Sequence, residues 1–122
     1  MQDYKSLIIW QKSRALVKQV YQAVTDFPSQ EMYGLSSQIK RCTISIPSNI
    51  AEGAGRNSPK EFLHFLSISQ GSAFELETQI YLAYDLNFLH HDQFSSLTES
   101  ILEIQKMNRA LQKSIRNKPT KN

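Results

Sequence analysis

Apolar residues recur at three- and four-residue steps in four segments of the chain, the pattern of amphipathic helices. The first predicted helix runs from Ser6 to Asp26 and stops at Phe27-Pro28, because proline pushes the preceding residue out of helical dihedrals. The second begins near Tyr33-Gly34 and ends within residues 53–55, where a glycine in the left-handed conformation can stop a helix. No segment alternates with period two, so we predict no strand.

The third helix has the clearest start signal. Ser58 stands at the capping position, Pro59 at the first helical position and Glu61 at the third, which is a capping box with proline. We predict that this helix reaches Leu89 and that a fourth helix, capped by Asp92, ends near Ile115. The pattern therefore predicts an all-α fold, an antiparallel up-down-up-down four-helix bundle. It occupies residues 1–116, and residues 117–122 form a polar, basic tail.

Helix 3 carries two apolar stripes. One would fill the core, and the second lies roughly 100–140° away around the helix. A helix that is apolar on two sides needs two partners, and we predict that the second partner is another copy of the chain. The alternative is that helices 1 and 4 together cover both stripes. The second stripe consists of Leu63, Phe74, Tyr81 and Phe88. Glu77 lies between the two stripes, and we expect it to meet a basic or hydroxyl group at an interface. These five are the candidate interface residues.

Gly71-Ser72 stands in the middle of helix 3. A glycine inside a helix costs roughly 1 kcal/mol relative to alanine. We therefore predict a close approach of another helix at this point, which would compensate for that cost.

The stretch SIPSNIAEGAGR, residues 45–56, places a proline inside helix 2. Pro47 lacks a backbone donor and frees the carbonyl of Thr43, while neighbouring short polar side chains can bond the freed groups. The structural interpretation is a kinked helix end, with Pro47, Asn49, Glu52 and Gly53 as its motif. The functional interpretation is an anion site at the first turn of helix 3, flanked by Arg56 and Lys60, because helix N-termini attract phosphate.

The charge of the chain is unevenly distributed. The formal net charge is +3. From residue 106 onward there are six basic residues and no acidic one, so residues 1–105 carry a net charge of −3. Lys106, Arg109, Lys113 and Arg116 lie roughly opposite the apolar seam of helix 4, and such a stripe would bind phosphate backbones without reading sequence. The alternative is an ordinary solvated helix face with a solubilising tail.

Several function classes find no support in the sequence. A single cysteine, Cys42, excludes an intramolecular disulfide, and its place on the apolar stripe of helix 2 favours a core role over a nucleophile. Adjacent His90-His91 lacks the spacing of a helical metal site. No signal peptide or membrane span is evident, which predicts a cytoplasmic protein without membrane contact. We predict no enzymatic activity, no cofactor and no metal.

Four motifs carry a resemblance to a known family. They are L-x-x-W-Q-K-S at residues 7–13, F-P-x-x-E-x-Y-G-L-x-x-Q-I-K-R at 27–41, S-I-P-S-N-I-A-E-G-x-G-R at 45–56, and F-L-x-x-x-x-G-S-x-x-E-L-E-T-Q at 62–79. Together they resemble the small four-helix bundle proteins encoded in intervening sequences of bacterial large-subunit ribosomal RNA. The fold is similar to that of the accessory variability determinant protein of diversity-generating retroelements, a basic pentamer that binds nucleic acid and a reverse transcriptase.

The resemblance implies an antiparallel four-helix bundle that assembles as a homopentamer, and it implies no catalytic residue. Combined with the charge pattern, it leads to two hypotheses. The first is a homopentamer that binds structured RNA or DNA non-specifically through a basic surface. The second is a protein-interaction scaffold without a direct nucleic-acid role.

Overall fold

The computed structural model describes residues 3–118. The described chain contains no strand, which confirms the predicted all-α class with four long helices. The last four residues of the predicted tail lie outside the described residues. The helices, preceded by short 3₁₀ turns at Tyr4–Ser6 and Ser29–Glu31, are α1 (Ile8–Val24), α2 (Leu35–Ala54), α3 (Pro59–Asp85) and α4 (His91–Arg116).

One hydrophobic core receives side chains from all four helices. α3 packs on α2 and α4, and α1 packs on the same two helices from the other side. The apolar stripe predicted to fill the core from α3 is buried, except that Phe65 is half-buried. The largest fully buried apolar side chains are Leu16, Val20, Ile39, Ile46, Ile50, Leu66, Leu76, Ile80, Leu97, Ile101 and Ile104.

Polar contacts fix the register between neighbouring helices. The hydroxyls of Ser45 in α2 and Ser72 in α3 lie 2.9 Å apart. Between α1 and α4, Lys12 forms an ion pair with Glu103 at 3.2 Å, and the amide of Gln19 donates to the hydroxyl of Ser96. The contacts between α3 and α4 pair early residues of one helix with late residues of the other, as when the Asn108 amide donates to the Leu66 carbonyl at 3.0 Å.

α1 is two residues shorter at each end than the predicted Ser6 to Asp26. The end of α3 and the start of α4 also differ from the prediction. α3 ends at Asp85 rather than Leu89, because Asn87 adopts the left-handed conformation with φ of 64°. The amide of Phe88 then donates to the carbonyl of Ala83 at 2.9 Å, the bond that closes a helix in a Schellman motif. The prediction that Asp92 caps α4 is also wrong. The cap is His90, whose backbone amide donates to the side chain of Gln93 at 2.9 Å.

The start of α3 follows the sequence signal in part. Ser58 is the cap, its hydroxyl accepts from the amide of Glu61 at 3.2 Å, and Pro59 is the first helical residue. The carboxylate of Glu61, which a complete capping box would turn back to the cap, lies 3.6 Å from the guanidinium of Arg56.

The end of α2 depends on packing rather than on a left-handed glycine. No described glycine has a positive φ, and the capping residue Gly55 has a φ of −77°. A Cβ added at Gly53 would lie 2.7 Å from the Cβ of Phe65 and 3.0 Å from the ring of Phe62. Gly53 is therefore required by the close approach of α2 to α3.

Gly71 shows the opposite situation. A Cβ added there would meet nothing within 4 Å, and the residue is exposed on α3. The prediction of a close helix approach at this glycine is therefore wrong within the chain. The space over Gly71 is open.

Candidate functional site

One predicted cation, Arg56, and Lys118 of the predicted tail line a common cleft at one edge of the molecule. The turn between α2 and α3 and the C-terminal end of α4 enclose a cleft of about 420 Å³, lined by Arg56 and Ser58 on one side and by Ser114 and Lys118 on the other. Its apolar lining includes Phe62, Leu111 and Ile115. Residues that are far apart in the sequence thus contribute to one positively charged edge.

Arg56 is already engaged within the chain. Its guanidinium lies 3.4 Å from Glu52 and 3.6 Å from Glu61, and it sits 5.1 Å from the centre of the Phe65 ring. These contacts engage Arg56 with residues of its own chain, before and after it in the sequence. They neutralise much of the charge that a phosphate at the start of α3 would use, whereas Lys60 on the same turn is exposed.

The basic residues of α4 divide into two kinds. Lys106, Arg109 and Lys113 are exposed, and none of them forms an ion pair within residues 3–118. Arg116 instead donates to the side-chain oxygen of Gln112 at 3.1 Å. The first three are free to bind an anion, and Arg116 is tied to its own helix.

A row of amides joins α4 to α3 beneath this basic stripe. The Gln112 amide donates to Asn108 at 2.6 Å, and Asn108 is fully buried. Gln70 donates to the carbonyl of Gln105, whose amide donates to the Glu77 carboxylate at 3.0 Å. The partner of Glu77 is therefore an amide of the same chain and not the basic or hydroxyl group predicted at an interface.

The predicted second stripe of α3 is divided. Leu63 and Phe88 are half-buried and pack against the core, Phe88 with its ring 5.4 Å from that of Phe27. Tyr81 packs edge-on against Phe94 at 4.9 Å but remains 48% exposed. Phe74 is 49% exposed. Phe27, which follows α1, and Phe94 of α4 thus contact part of the stripe, and its middle stays open. The alternative interpretation, in which helices 1 and 4 together cover both stripes, holds only in part.

The sequence analysis missed most of the apolar surface of α3. Ile68, Leu82 and Leu86 are 40%, 47% and 55% exposed. Ile68 and Phe74 lie three residues before and after the open position of Gly71, Leu82 follows about three turns further along the helix, and Leu86 is its C-terminal cap. Ile68 and Leu82 stand on the outward side of the helix, between the two stripes that periodicity picked out. A signal was present in the sequence, since the solvated face of a helix usually carries charged and polar residues. From Phe62 to Leu89 the only charged side chains are Glu75, Glu77 and Asp85. We call Ile68, Phe74, Leu82 and Leu86 the α3 apolar patch.

The proline-containing stretch of α2 remains helical. α2 continues through Pro47 to Ala54, and the Asn49 amide donates to the carbonyl and the hydroxyl of Ser45 at 2.8 and 2.9 Å. Asn49 therefore bonds the backbone next to the proline, as expected of a short polar side chain. The acceptor is Ser45 and not the carbonyl of Thr43 that the proline frees.

A polar groove runs between α2 and α3 on the side away from α1. It measures about 570 Å³ and is lined by Tyr33, Arg41, Ser45, Ser72, Glu75 and Gln79, among others. We call it the α2–α3 groove. Three of the four motifs that carry the family resemblance contribute these residues. Sequence reasoning treated those motifs one by one and did not predict that they converge.

Cys42 lies at the floor of this groove. Its thiol is placed to donate to the Ser72 carbonyl at 3.0 Å and to the Glu75 carboxylate at 3.4 Å. Burial raises the pKa of the thiol to about 12, and the neighbouring Glu75 carboxylate adds to the rise. The thiol therefore stays protonated at neutral pH, which does not suit a nucleophile.

Residues 3–118 contain no group of three His, Cys, Asp or Glu side chains placed to hold a metal ion. His91 contacts the hydroxyl of Tyr84 at 3.3 Å and that of Ser95 at 3.4 Å. In the same part of the chain, no helix has the length and hydropathy needed to cross a membrane.

These features define a small all-helical protein with four helices around one core, a basic edge and an unpartnered apolar patch. The model of the 23S rRNA-intervening sequence protein family matches residues 5–110. The chain therefore belongs to this family, as the four motifs predicted.

A crystal structure of a protein with unknown function from the S23 ribosomal protein family, from Bacteroides thetaiotaomicron VPI-5482, has a similar fold. The TM-score is 0.81 at 24% sequence identity, and the match covers 87% of this chain and 96% of that one. At this identity the likeness shows the fold alone. No curated protein matches the chain.

Proposed function

We propose that the protein is a non-enzymatic homo-oligomer of antiparallel four-helix bundles, of five chains as the family resemblance implies, and that it binds structured RNA or DNA through a basic end. The up-down-up-down course is supported by the contacts between neighbouring helices. In each contacting pair, early residues of one helix lie against late residues of the other, as with Gly53 against Phe62 and Tyr84 against His91.

The observation that carries the nucleic-acid proposal is a separation of charge along the bundle. The Ser45–Ser72 and Lys12–Glu103 contacts mark a common level, and the bond from Gln70 to Gln105 aligns α3 with α4. The half of the bundle that holds the turn between α2 and α3 and the C-terminal end of α4 carries eight basic and three acidic side chains, a net charge of +5. They are Lys5, Arg56, Lys60, Lys106, Arg109, Lys113, Arg116 and Lys118 against Asp3, Glu52 and Glu61.

The other half has the opposite sign. It holds four basic and seven acidic side chains, a net of −3: Arg14, Lys18, Lys40 and Arg41 against Asp26, Glu31, Glu75, Glu77, Asp85, Asp92 and Glu99. A positive end on a body of opposite sign attracts a polyanion and orients it. The exposed side chains of Lys106, Arg109 and Lys113 would contact phosphates rather than base edges, so binding would be non-specific and salt-dependent.

Two variants that lose the same number of positive charges, one in each half of the bundle, test this proposal. One variant carries Lys106→Gln, Arg109→Gln and Lys113→Gln, and its control carries Arg14→Gln, Lys18→Gln and Lys40→Gln. Both lose three positive charges. We expect the first variant to bind a structured RNA at least tenfold more weakly at low salt, with a shallower salt dependence, and the control to bind nearly as the parent does.

Equal losses in the two variants would show that net charge, and not the basic end, attracts RNA. No RNA binding by the parent protein at low salt would refute the proposed function. Circular dichroism and light scattering on each variant would show that fold and assembly are unchanged.

Self-association is supported by the α3 apolar patch. Its four large apolar side chains are 40–55% exposed, and the open position at Gly71 would let another helix approach closely. The patch lies on α3, and the basic stripe lies on α4, so one chain can offer both surfaces at once. A second copy with the same exposed patch is the simplest partner.

Leu82→Glu tests this surface better than a change at Tyr81, whose ring packs on Phe94 within the chain. We expect Leu82→Glu to yield a folded species of lower mass by light scattering. The matched control is Leu102→Glu, since Leu102 is 44% exposed on α4. A parent protein that is monomeric, or a Leu82→Glu variant of unchanged mass, would contradict an assembly through α3.

The second candidate function is a protein-interaction scaffold without a nucleic-acid role. The same α3 apolar patch favours it, because such a patch also suits a helix of a different protein. A stable oligomer whose mass does not change with RNA at low salt, and which keeps Leu82 accessible, would favour this candidate over the first.

A further inference from the structure

The outward side of α3, which carries the α3 apolar patch, is acidic as well as apolar. From residue 62 to residue 85 the chain has three acidic side chains and no lysine or arginine. Glu75 and Asp85 are exposed, and neither forms an ion pair within residues 3–118. Glu75 follows Phe74 and Asp85 precedes Leu86, so a partner that covers the patch also meets these two negative charges.

Two copies of this acidic face do not suit each other. If α3 of one chain packed on α3 of another through the patch, the carboxylates of both chains would be brought to the same contact. Like charges held close across an interface oppose binding and select against such a partner. The surface that covers the patch should therefore be apolar and basic.

One side of α1 has both properties. Trp10, Arg14, Val17 and Tyr21 follow each other at steps of four and three residues, so they lie on the same side of the helix. Trp10 and Val17 are half-buried, and Tyr21 is 37% exposed. The guanidinium of Arg14 lies 5.6 Å from the centre of the Trp10 ring. Helix α1 contains no acidic residue.

A matching side of α2 adjoins it. Its members, again at steps of four and three residues, are Lys40, Ile44, Pro47 and Ala51. The ammonium of Lys40 lies 5.1 Å from the centre of the Tyr21 ring, which joins the two helix sides into one surface. Ile44 is 43% exposed, and the other two apolar members are half-buried. The one acidic residue of α2, Glu52, is paired with Arg56 at 3.4 Å. We call these eight residues the α1–α2 face.

The other outward surfaces fit the patch less well. The outward side of α4 is basic too, but Leu102 is the only large apolar side chain exposed on that helix. The α2–α3 groove includes Glu75 and so has the same charge sign as the patch. On the α1–α2 face, by contrast, both cations lie over aromatic rings, so positive charge and apolar surface occupy the same place.

We propose that the α3 apolar patch of one chain packs on the α1–α2 face of a second copy. This contact is heterologous, because it joins two different surfaces and leaves each copy able to bind two neighbours. The inference rests on the self-association in the proposed function and names the surface that the second copy supplies. Opposite charges determine which surfaces pair, whereas exposed charges add little to affinity. Neutralising Arg14 and Lys40, as in the control for RNA binding, should therefore leave the assembly intact.

Ile44→Glu tests the α1–α2 face directly. It places a carboxylate on the apolar part of the face, where the acidic side of α3 would repel it. We expect folded single chains by light scattering. The matched control is Leu102→Glu, since the two residues are 43% and 44% exposed, and it should keep the mass of the parent. Ala51→Glu, on the same face, should act as Ile44→Glu does, and circular dichroism checks the fold of all three variants.

Mixing two damaged variants separates a heterologous contact from self-pairing of α3. Ile44→Glu keeps an intact patch, and Leu82→Glu keeps an intact α1–α2 face, so one contact can form between them. We expect the mixture to give a complex of two chains in sedimentation runs up to millimolar concentration, because a single contact lacks the avidity of a larger assembly. A mixture of Ile44→Glu with the double variant Ile44→Glu, Leu82→Glu is the control and should give none.

Two outcomes would overturn this inference and leave self-association standing. One is a variant Ile44→Glu that keeps the parent's mass while Leu82→Glu loses it, as self-pairing of α3 requires. The other is a mixture of Ile44→Glu and Leu82→Glu that forms no complex at millimolar concentration. A monomeric parent would refute the proposed self-association and this inference together. Loss of RNA binding alone would refute neither.

Discussion

The inward side of α3 is tightly packed and its outward side is open, and two glycines show the difference. On the inward side, Gly53 of α2 lies so close to α3 that an added Cβ would be 2.7 Å from the Cβ of Phe65. On the outward side, Gly71 of α3 faces open space. The first glycine is needed within the chain, and nothing within the chain requires the second.

The same contrast holds for polar groups. On the inward side the hydroxyl of Ser69 donates to the Ile46 carbonyl at 3.0 Å, and the Asn108 amide donates to the Leu66 carbonyl. On the outward side the α3 apolar patch is exposed to solvent. The inward side specifies the protomer, and the outward side is available for a partner. Each prediction below breaks or sharpens this contrast.

Gly53→Ala should be the most damaging of these changes. The new methyl group would overlap the Cβ of Phe65, which is fixed to the backbone, so α2 and α3 must separate. Overpacking of this kind costs typically 1–3 kcal/mol, and we expect a loss of about 2 kcal/mol in the free energy of unfolding. Urea denaturation measures it. Gly55→Ala is the control, because its Cβ would make ordinary contacts at 3.5 Å. Equal stability of the two variants would contradict the close approach.

Asn108→Leu breaks the polar link between α3 and α4. The buried amide of Gln112 would lose its acceptor, which costs roughly 1–3 kcal/mol in the free energy of unfolding. The double variant Asn108→Leu, Gln112→Leu removes both partners and should recover part of that loss. Chemical denaturation of the parent, the two single variants Asn108→Leu and Gln112→Leu, and the double variant measures the coupling between the two residues. Additive losses would show that the bond from Gln112 to Asn108 adds nothing to stability.

Much of the fold could be predicted from the sequence, because long stripes of apolar residues report burial directly. The four helices and the capping serine of α3 are features that could be predicted in this way. The end of α3 could not be predicted, because the sequence does not show that an asparagine will adopt a positive φ. The role of Gly53 was also hidden, since a glycine near a helix end suggests a turn, and only the position of Phe65 reveals a packing constraint.

The candidate site was predictable only as separate residues. The basic character of α4 could be read from composition, but not that Arg56 is held by two carboxylates or that Arg116 is tied to Gln112. Those pairs depend on side-chain positions. The α2–α3 groove needed the register of two helices, since Arg41, Glu75 and Gln79 meet only after α2 and α3 are aligned.

Gly71→Ala should act in the opposite direction from Gly53→Ala. Alanine is favoured over glycine in a helix by about 1 kcal/mol, and the open space admits the methyl group, so we expect the isolated protomer to gain up to about that amount. The proper background is the Leu82→Glu variant, in which we expect the proposed assembly through α3 to be disrupted. A gain there, together with weaker assembly when Leu82 is intact, would show that a partner uses the space over Gly71. A loss of stability in the Leu82→Glu background would contradict an open outward side.

The last effect, which is absent at neutral pH, concerns the alkaline stability of the inward side. Burial raises the pKa of Cys42 to about 12 from its ordinary value of 9.0, so the folded state holds the thiol proton more tightly than the unfolded chain does. The free energy of unfolding should therefore fall as pH rises from about 9 towards 12, by at most about 1.4 kcal/mol per pH unit from this group. Cys42→Ser keeps a donor to Glu75 and Ser72 but does not titrate in this range. Denaturation at pH 8 and pH 10 should show a steeper loss for the parent than for Cys42→Ser, and equal losses would mean that the thiol is not shielded by the contact between α2 and α3.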